Sequence, residues 1–339
     1  MAGVMITKLS GEQDSLYGKI LAPLRQVLID AAGDKTDDEQ LLKSFMIVNP
    51  SNGYGEAFTG QTGLSQMKPT VEGGKVDNDS FTETWSKTIE HTTFKNRIVL
   101  SAEMIEDATA GYAVRKAKPL FEEFGTAYVS SRVNFATLAV CSEGDATFVY
   151  NGKTFDRTTG DGKALFSTTH KVKKTGAANI SNLYANLFGS DTVMLNRLAN
   201  VGRNIPNETG NATRYLFDTI MIPGNCPALE DTIKKVIATE RAINSANNDV
   251  NTQFGRWQLV VNPYWQAGGT NANPYILMSS RALKATTGNA FFDRTPLKVK
   301  ERVDDDENLI LSARARWSAG FPEWRHMIMG GVTGGTTLS

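Results

Sequence analysis

The sequence predicts an α+β fold carrying a projecting β-ribbon, and three stretches support that prediction. The first is a hairpin near the C-terminal end. Leu297, Val299 and Glu301 alternate with Lys298, Lys300 and Arg302, as in a strand with two different faces. Asp304, Asp305, Asp306, Glu307 and Asn308 are poor strand formers and suit a solvated turn. Leu309, Leu311, Ala313 and Ala315 then alternate as far as Trp317, ahead of a kink at Gly320 and Pro322 and one more short strand. The second stretch is residues 49–97. Gly53, Gly55, Gly60, Gly63, Gly73 and Gly74 lie among Ser, Thr, Gln and Asn, with few apolar residues to bury. From Phe81 the chain alternates. Phe81, Glu83, Trp85, Lys87, Ile89 and His91 share one face, and Thr82, Thr84, Ser86, Thr88, Glu90 and Thr92 share the other. An isolated two-stranded ribbon is marginal in water, so this one is expected to rest on another chain. The third stretch is helical. Ser101 suits an N-cap, with a helix from about Ala102 to Lys118 that Pro119 is expected to break or restart. Phe121, Phe124, Tyr128, Phe135 and Leu138 then mark one face at helical spacing, a stripe that reads as core and not as a cofactor box.

The remaining elements follow from shorter signals. Residues Glu12 to Ala32 suit an amphipathic helix through Leu16, Ile20, Leu24, Val27 and Leu28, bent or interrupted at Pro23. It is either a core helix or an arm lying on a neighbouring chain. Phe148-Val149-Tyr150 before Asn151-Gly152 proposes a strand and a tight turn. Val193, Met194, Leu195 and Leu198 suit a helix ending near Gly202, and Tyr215 to Ile222 suits a buried strand stopped by Pro223-Gly224. Pro227 stands where a helix begins, with Leu229, Ile233, Val236 and Ile237 as its buried stripe. Trp257 to Val261 is another core strand. Residues 180–290 therefore read as an α/β-type lobe.

The 339 residues are enough for one large domain or two ordinary ones, and 40% of them are aliphatic or aromatic, enough for a core. Thirty-six cationic side chains balance 36 anionic ones, so no overall basic excess marks a dedicated nucleic-acid binder. Cys141 and Cys226 make no disulfide framework and fit a reducing compartment. No signal peptide is evident at the start, and no apolar run reaches the ~18 residues that a membrane span needs.

Catalytic constellations are hard to assemble from this chain. His91, His170 and His326 are far apart, and none belongs to a His-x-x-x-His or Cys-x-x-Cys pair. A thiol dyad of Cys141 or Cys226 with His170 has no local support. Gly53-Tyr54-Gly55 lacks the third glycine and following helix of a dinucleotide loop. The expectation is a chain that is no enzyme and holds no cofactor or metal.

Four passages, in order, resemble the tailed-phage major capsid proteins with the Hong Kong 97-type fold, nearest the branch typified by the major head subunit of phage Mu. They are the threonine-rich strand from Phe81 through Phe94-Lys95 into the helix at Ser101-Ala102-Glu103; Asp161-Gly162-Lys163-Ala164-Leu165-Phe166-Ser167-Thr168-Thr169-His170; Met221-Ile222-Pro223 with Pro227-Ala228-Leu229-Glu230 and Leu259-Val260-Val261-Asn262-Pro263; and Arg316-Trp317-Ser318-Ala319-Gly320 with Glu323-Trp324-Arg325. Cys226 interrupts the double-proline pattern of that branch, and residues up to Ser44 match nothing in it. The resemblance implies an N-terminal arm (1–44), an extended loop (49–97), a peripheral domain with a long spine helix (98–179 and 291–312) and an axial domain (180–290 and 313–331). It also implies self-assembly into hexamers and pentamers of an icosahedral virion shell around double-stranded DNA, built in a bacterial cytoplasm with a portal and scaffold or decoration proteins. An encapsulin-like cage of the same fold is the alternative, and a soluble hydrolase with an unusual hairpin is a more remote one. Contact candidates between subunits are Phe81, Trp85 and Ile89 on the ribbon, with Arg97, Arg316 and Arg325, since Trp and Arg are enriched at interface hot spots. Trp317 and Trp324 read as core anchors. Lys171, Lys173 and Lys174 form a basic cluster that faces either solvent or the genome.

Overall fold

The computed structural model describes residues 5–7, 16–33, 36–62, 67–75, 78, 82–103, 110–172, 178–189, 192–241, 249–268, 273–284 and 288–338. Helices and sheets segregate as an α+β fold. A long hairpin, β11 (Ala290–Val303) and β12 (Leu309–Gly320), is the centre of the first sheet. On one side of it, β1 (Met5–Thr7) and β2 (Ile47–Pro50) pair in parallel with β11; on the other, β5 (Thr92–Leu100) pairs antiparallel with β12. The second strand runs to Gly320, three residues past Trp317, and the chain then bends at Pro322 before one more short strand at Met327–Gly330, as the sequence predicts. The turn lies where it was expected, with Asp304 N–H donating to Asn308 O (2.9 Å) and Glu307 taking a positive φ of 61°.

Alternation decides the two faces of this sheet. Leu297, Val299, Leu311, Ala313, Ala315 and Trp317 are buried. Helix α3 (Ala110–Cys141) packs against them; its 32 residues give a rod about 48 Å long. An aromatic cluster joins the two layers. Phe94 stacks on Trp317 with centroids 4.0 Å apart, and Phe135 meets Phe94, Phe148 and Tyr150 edge-on at 5.2–5.4 Å. Phe148 and Tyr150 belong to β6 (Thr147–Tyr150), which turns through Asn151 (φ 47°) and Gly152 (φ 77°) into β7 (Lys153–Asp156). Two consecutive positive φ angles are what a type I′ hairpin needs.

Pro119 does not interrupt α3, which is continuous across it; the residue is exposed, where water can take up the carbonyl a proline leaves unpaired. Helix α1 (Leu16–Gly33) is likewise continuous through Pro23 and lies along α3. Leu24 and Leu28 are buried there, and a Cβ on Gly125 of α3 would come within 2.8 Å of Leu28 O, so glycine permits the close approach. Helix α2 (Thr36–Phe45) adds Leu42 and Phe45 to the core. Arg132 of α3, fully buried, pairs with Glu39 of α2 and Asp293 of β11. Arg157 is also buried, and among the described residues it is in no ion pair. It donates to the carbonyls of Ala139, Val140, Ser142 and Asp145 and so caps the C-terminal end of α3.

The second sheet has the order β13-β10-β8-β9, formed by β8 (Thr219–Pro223), β9 (Gln258–Asn262), β10 (Tyr275–Met278) and β13 (Met327–Gly330). Parallel β8 and β9 are connected through α5 (Pro227–Ala238), and α4 (Val193–Asn204) packs nearby with Leu195 and Leu198 buried. The expected strand from Tyr215 begins only at Thr219, because Asp218 turns aside to accept from Ser280 N–H at the start of the short α6 (Ser280–Leu283).

Candidate assembly surface

The ribbon is β3 (Gly55–Gln61) paired antiparallel with β4 (Glu83–Glu90). The predicted alternation of β4 holds, but the partner of its apolar face is the same chain. Ile89 is buried against Phe58, Ala290 and Phe292, and it fills the space a Cβ on Gly320 would occupy. Trp85 lies between Gly60 and Gly160, each of which would clash with it if it carried a Cβ (2.3 and 2.2 Å). Lys87 pairs with Asp156 and donates to Thr158 Oγ1 (2.6 Å). Trp85 and Ile89 therefore anchor the root of the ribbon on its own body, and the described strands of the ribbon do not wait for another chain. The other edge of the predicted ribbon, from Thr92, belongs to the body sheet as β5.

A polar network fixes the same root. His91, buried between the layers, bridges Ser51 Oγ and Ser318 Oγ at 2.8 Å each, and Ser51 donates to Glu56 at 2.5 Å. Burial lowers the His91 pKa, against the pull of Glu56.

The other candidates separate. Phe81, Lys173 and Lys174 lie outside the described residues, and Lys171 is exposed. Arg325 is 3% exposed, held by Glu208 and Glu323 at 2.6 Å each and donating to Pro206 O, so it is an internal strut and no surface contact. A double carboxylate clamp of this kind satisfies a guanidinium completely inside the fold. Trp324 is buried as expected, stacked on His170 at 4.0 Å, and Trp317 is buried under Phe94. His170 also contacts Asp161 (2.8 Å); although burial opposes ionisation of that carboxyl, the His170 contact holds its pKa down at about 2.

Arg97 and Arg316 share the open face of the first sheet with five cations that sequence reading did not group. The register sets Lys298, Arg314 and Lys95 in one rank across three strands, and Lys300, Ser312 and Arg97 in the next. Arg302 and Arg316 flank these ranks on the same face. No carboxylate stands at these register positions, and among the described residues none of the seven cations is in an ion pair. Lys95, Asn96, Arg97, Lys298, Lys300, Ser312 and Arg314 line an open groove there. The signal was present in the alternation of residues 297–302, but the other strands that complete the patch are set by pairing alone. Among the described residues no group of three or more His, Cys, Asp or Glu is placed to hold a metal ion, and no helix is long and apolar enough to cross a membrane.

Solved structures place this architecture. A chain of Mycobacterium phage Patience aligns with 97% of this chain and 92% of its own length, at a TM-score of 0.54 and 10% identity. The capsid of the native GTA particle covers 85% of this chain and 88% of its own (TM-score 0.52, 10% identity), and the capsid of Ralstonia phage GP4 covers 84% and 86% (TM-score 0.51, 12% identity). The chain has the Hong Kong 97-type capsid fold. Within that fold, the ribbon and the cationic sheet face are the two features that stand out from the body. No family model matches the sequence, and no curated protein matches it. The likeness lies in the arrangement of strands and helices, not in residue identity.

Proposed function

We propose that this chain is the major capsid subunit of a tailed bacteriophage or prophage. It assembles into hexamers and pentamers of an icosahedral shell that encloses double-stranded DNA. The observation that carries the reading is the match of fold to capsid chains over 84–85% of this chain, with a Mycobacterium phage chain aligning over 97% of it. The passages at residues 161–170 and 316–325 support a place near the Mu-like branch. In this reading residues 1–44 are the arm and 49–97 the extended loop, whose ends, at Asn49–Pro50 and from Thr92 on, are rooted in the body sheet. The peripheral region takes 98–179 with 291–312, and the axial region takes 180–290 with 313–331. A portal and scaffold or decoration proteins are the further partners, the host cytoplasm is the place of assembly, and the virion is the destination. Weak contacts repeated over many copies make such a shell strong.

Electron microscopy and light scattering of the purified chain test this. Closed particles that retain nuclease-resistant DNA when produced with the rest of the phage head genes are the expected result. Closed DNA-free cages around a cargo protein point to the encapsulin-like alternative, and a monomer that persists at high concentration overturns both.

A further inference from the structure

We propose that the cationic face of the first sheet is a docking surface for the acidic hairpin turn, Asp304 to Glu307, of a second copy of this chain. The inference rests on the shell reading and names one of its contacts. Three observations support it.

The first is the cost of the arrangement. Lys298, Arg314 and Lys95 are direct neighbours across β11, β12 and β5, and like charges directly opposite one another destabilise a sheet. A chain with 36 cations and 36 anions has gathered seven of one sign on a single face and left the opposite sign elsewhere. An anion laid over such a face relieves that repulsion and is drawn to it by the summed potential. In addition, Arg316 Nε is buried without an acceptor.

The second is the location of the complementary charge. Asp304, Asp305, Asp306 and Glu307 are consecutive and all exposed. They stand at the end of β11 and β12, the two strands whose flat face carries the cations. A turn at the end of a sheet does not fold back onto the face of its own strands, so the pairing is between copies.

The third is symmetry. Turn-to-face contact is heterologous, with a different patch on each side, and heterologous contacts close into rings when the rotation permits. Carboxylate to guanidinium or ammonium pairing also sets orientation and encounter rate more than raw affinity. It suits a joint repeated many times per particle.

Charge reversal tests it. One variant carries Lys298→Glu and Arg314→Glu; the other carries Asp304→Lys, Asp305→Lys and Asp306→Lys. Circular dichroism checks that both fold, and the neutral pair Lys298→Gln and Arg314→Gln serves as a milder version. Each reversed variant alone should need a concentration at least on the order of tenfold higher than the wild type to associate, by light scattering and sedimentation velocity. The neutral pair should fall between, and salt should weaken the wild-type association. An equimolar mixture of the two reversed variants should recover association, because each then offers the charge that the other lacks. A reversed face that associates like the wild type overturns the proposal, and so does a mixture with no recovery. A reversed face that associates normally but no longer retains nucleic acid also overturns it and assigns the face to phosphates. A wild-type chain that never associates overturns the shell reading and this contact with it.

Discussion

The two sheets differ in how many sides they hide. In the second sheet, β8, β10 and β13 are buried at every position. Helices and loops cover both faces, and the strands are continuous apolar runs such as Tyr275-Ile276-Leu277-Met278. In the first sheet, β12 alternates, with one face on α3 and the other carrying cations. A sheet buried on both sides is committed to holding the chain together. A sheet buried on one side keeps a surface available for other molecules, and here the charges on that surface cost the monomer stability. The same fold thus gives one sheet to cohesion and leaves the other with an open cationic face.

Four measurements test that division, from the largest effect to the smallest. Leu277→Ala, fully buried in β10, should cost about 2–5 kcal/mol in urea unfolding. A loss below 1 kcal/mol would mean that the second sheet is not the cohesive one. Acid should loosen the same region. His326, beside β13, donates from Nε2 to Asn289 Oδ1 (2.7 Å), and burial pushes its pKa down to about 3. The unfolded chain therefore takes up the proton first, near pH 6.5. Stability is complete above that pH and is lost as pH falls toward 3. Between pH 7 and 5 this one group should remove about 2 kcal/mol, and His326→Gln should abolish that portion of the slope. On the open face the sign reverses: Arg314→Gln breaks the like-charge rank and should raise monomer stability by about 0.2–1 kcal/mol. Val99→Ala, at 48% exposure on the same face, should change it by less than about 0.5 kcal/mol.

Much of this architecture was legible because its signals are local. Asn151-Gly152 specified the β6–β7 hairpin, Pro227 marked the start of α5, and Leu297-Val299-Glu301 displayed the two faces of β11. What the sequence hid depends on distant partners. The cradle for Trp85 is made by Gly60 and Gly160, and that for Ile89 by Gly320, so a face read as an intersubunit contact closes on its own chain. Arg325 looked like a surface hot spot until Glu208 and Glu323 were found around it. The cationic face was divided among β5, β11 and β12, where a zero net charge concealed it, while the compact Lys171, Lys173, Lys174 run drew attention instead. Pro119 misled because its effect depends on whether its side of the helix faces water, which spacing alone does not reveal.

Both legs of the ribbon end on the central hairpin: β2 leads in from a parallel pairing with β11, and β4 leads out into β5, which pairs antiparallel with β12. Tension on the ribbon tip is therefore carried lengthwise into the sheet, where several backbone hydrogen bonds share the load at once instead of opening one after another. Such a mount resists being peeled, because the paired strands are loaded in shear along their length.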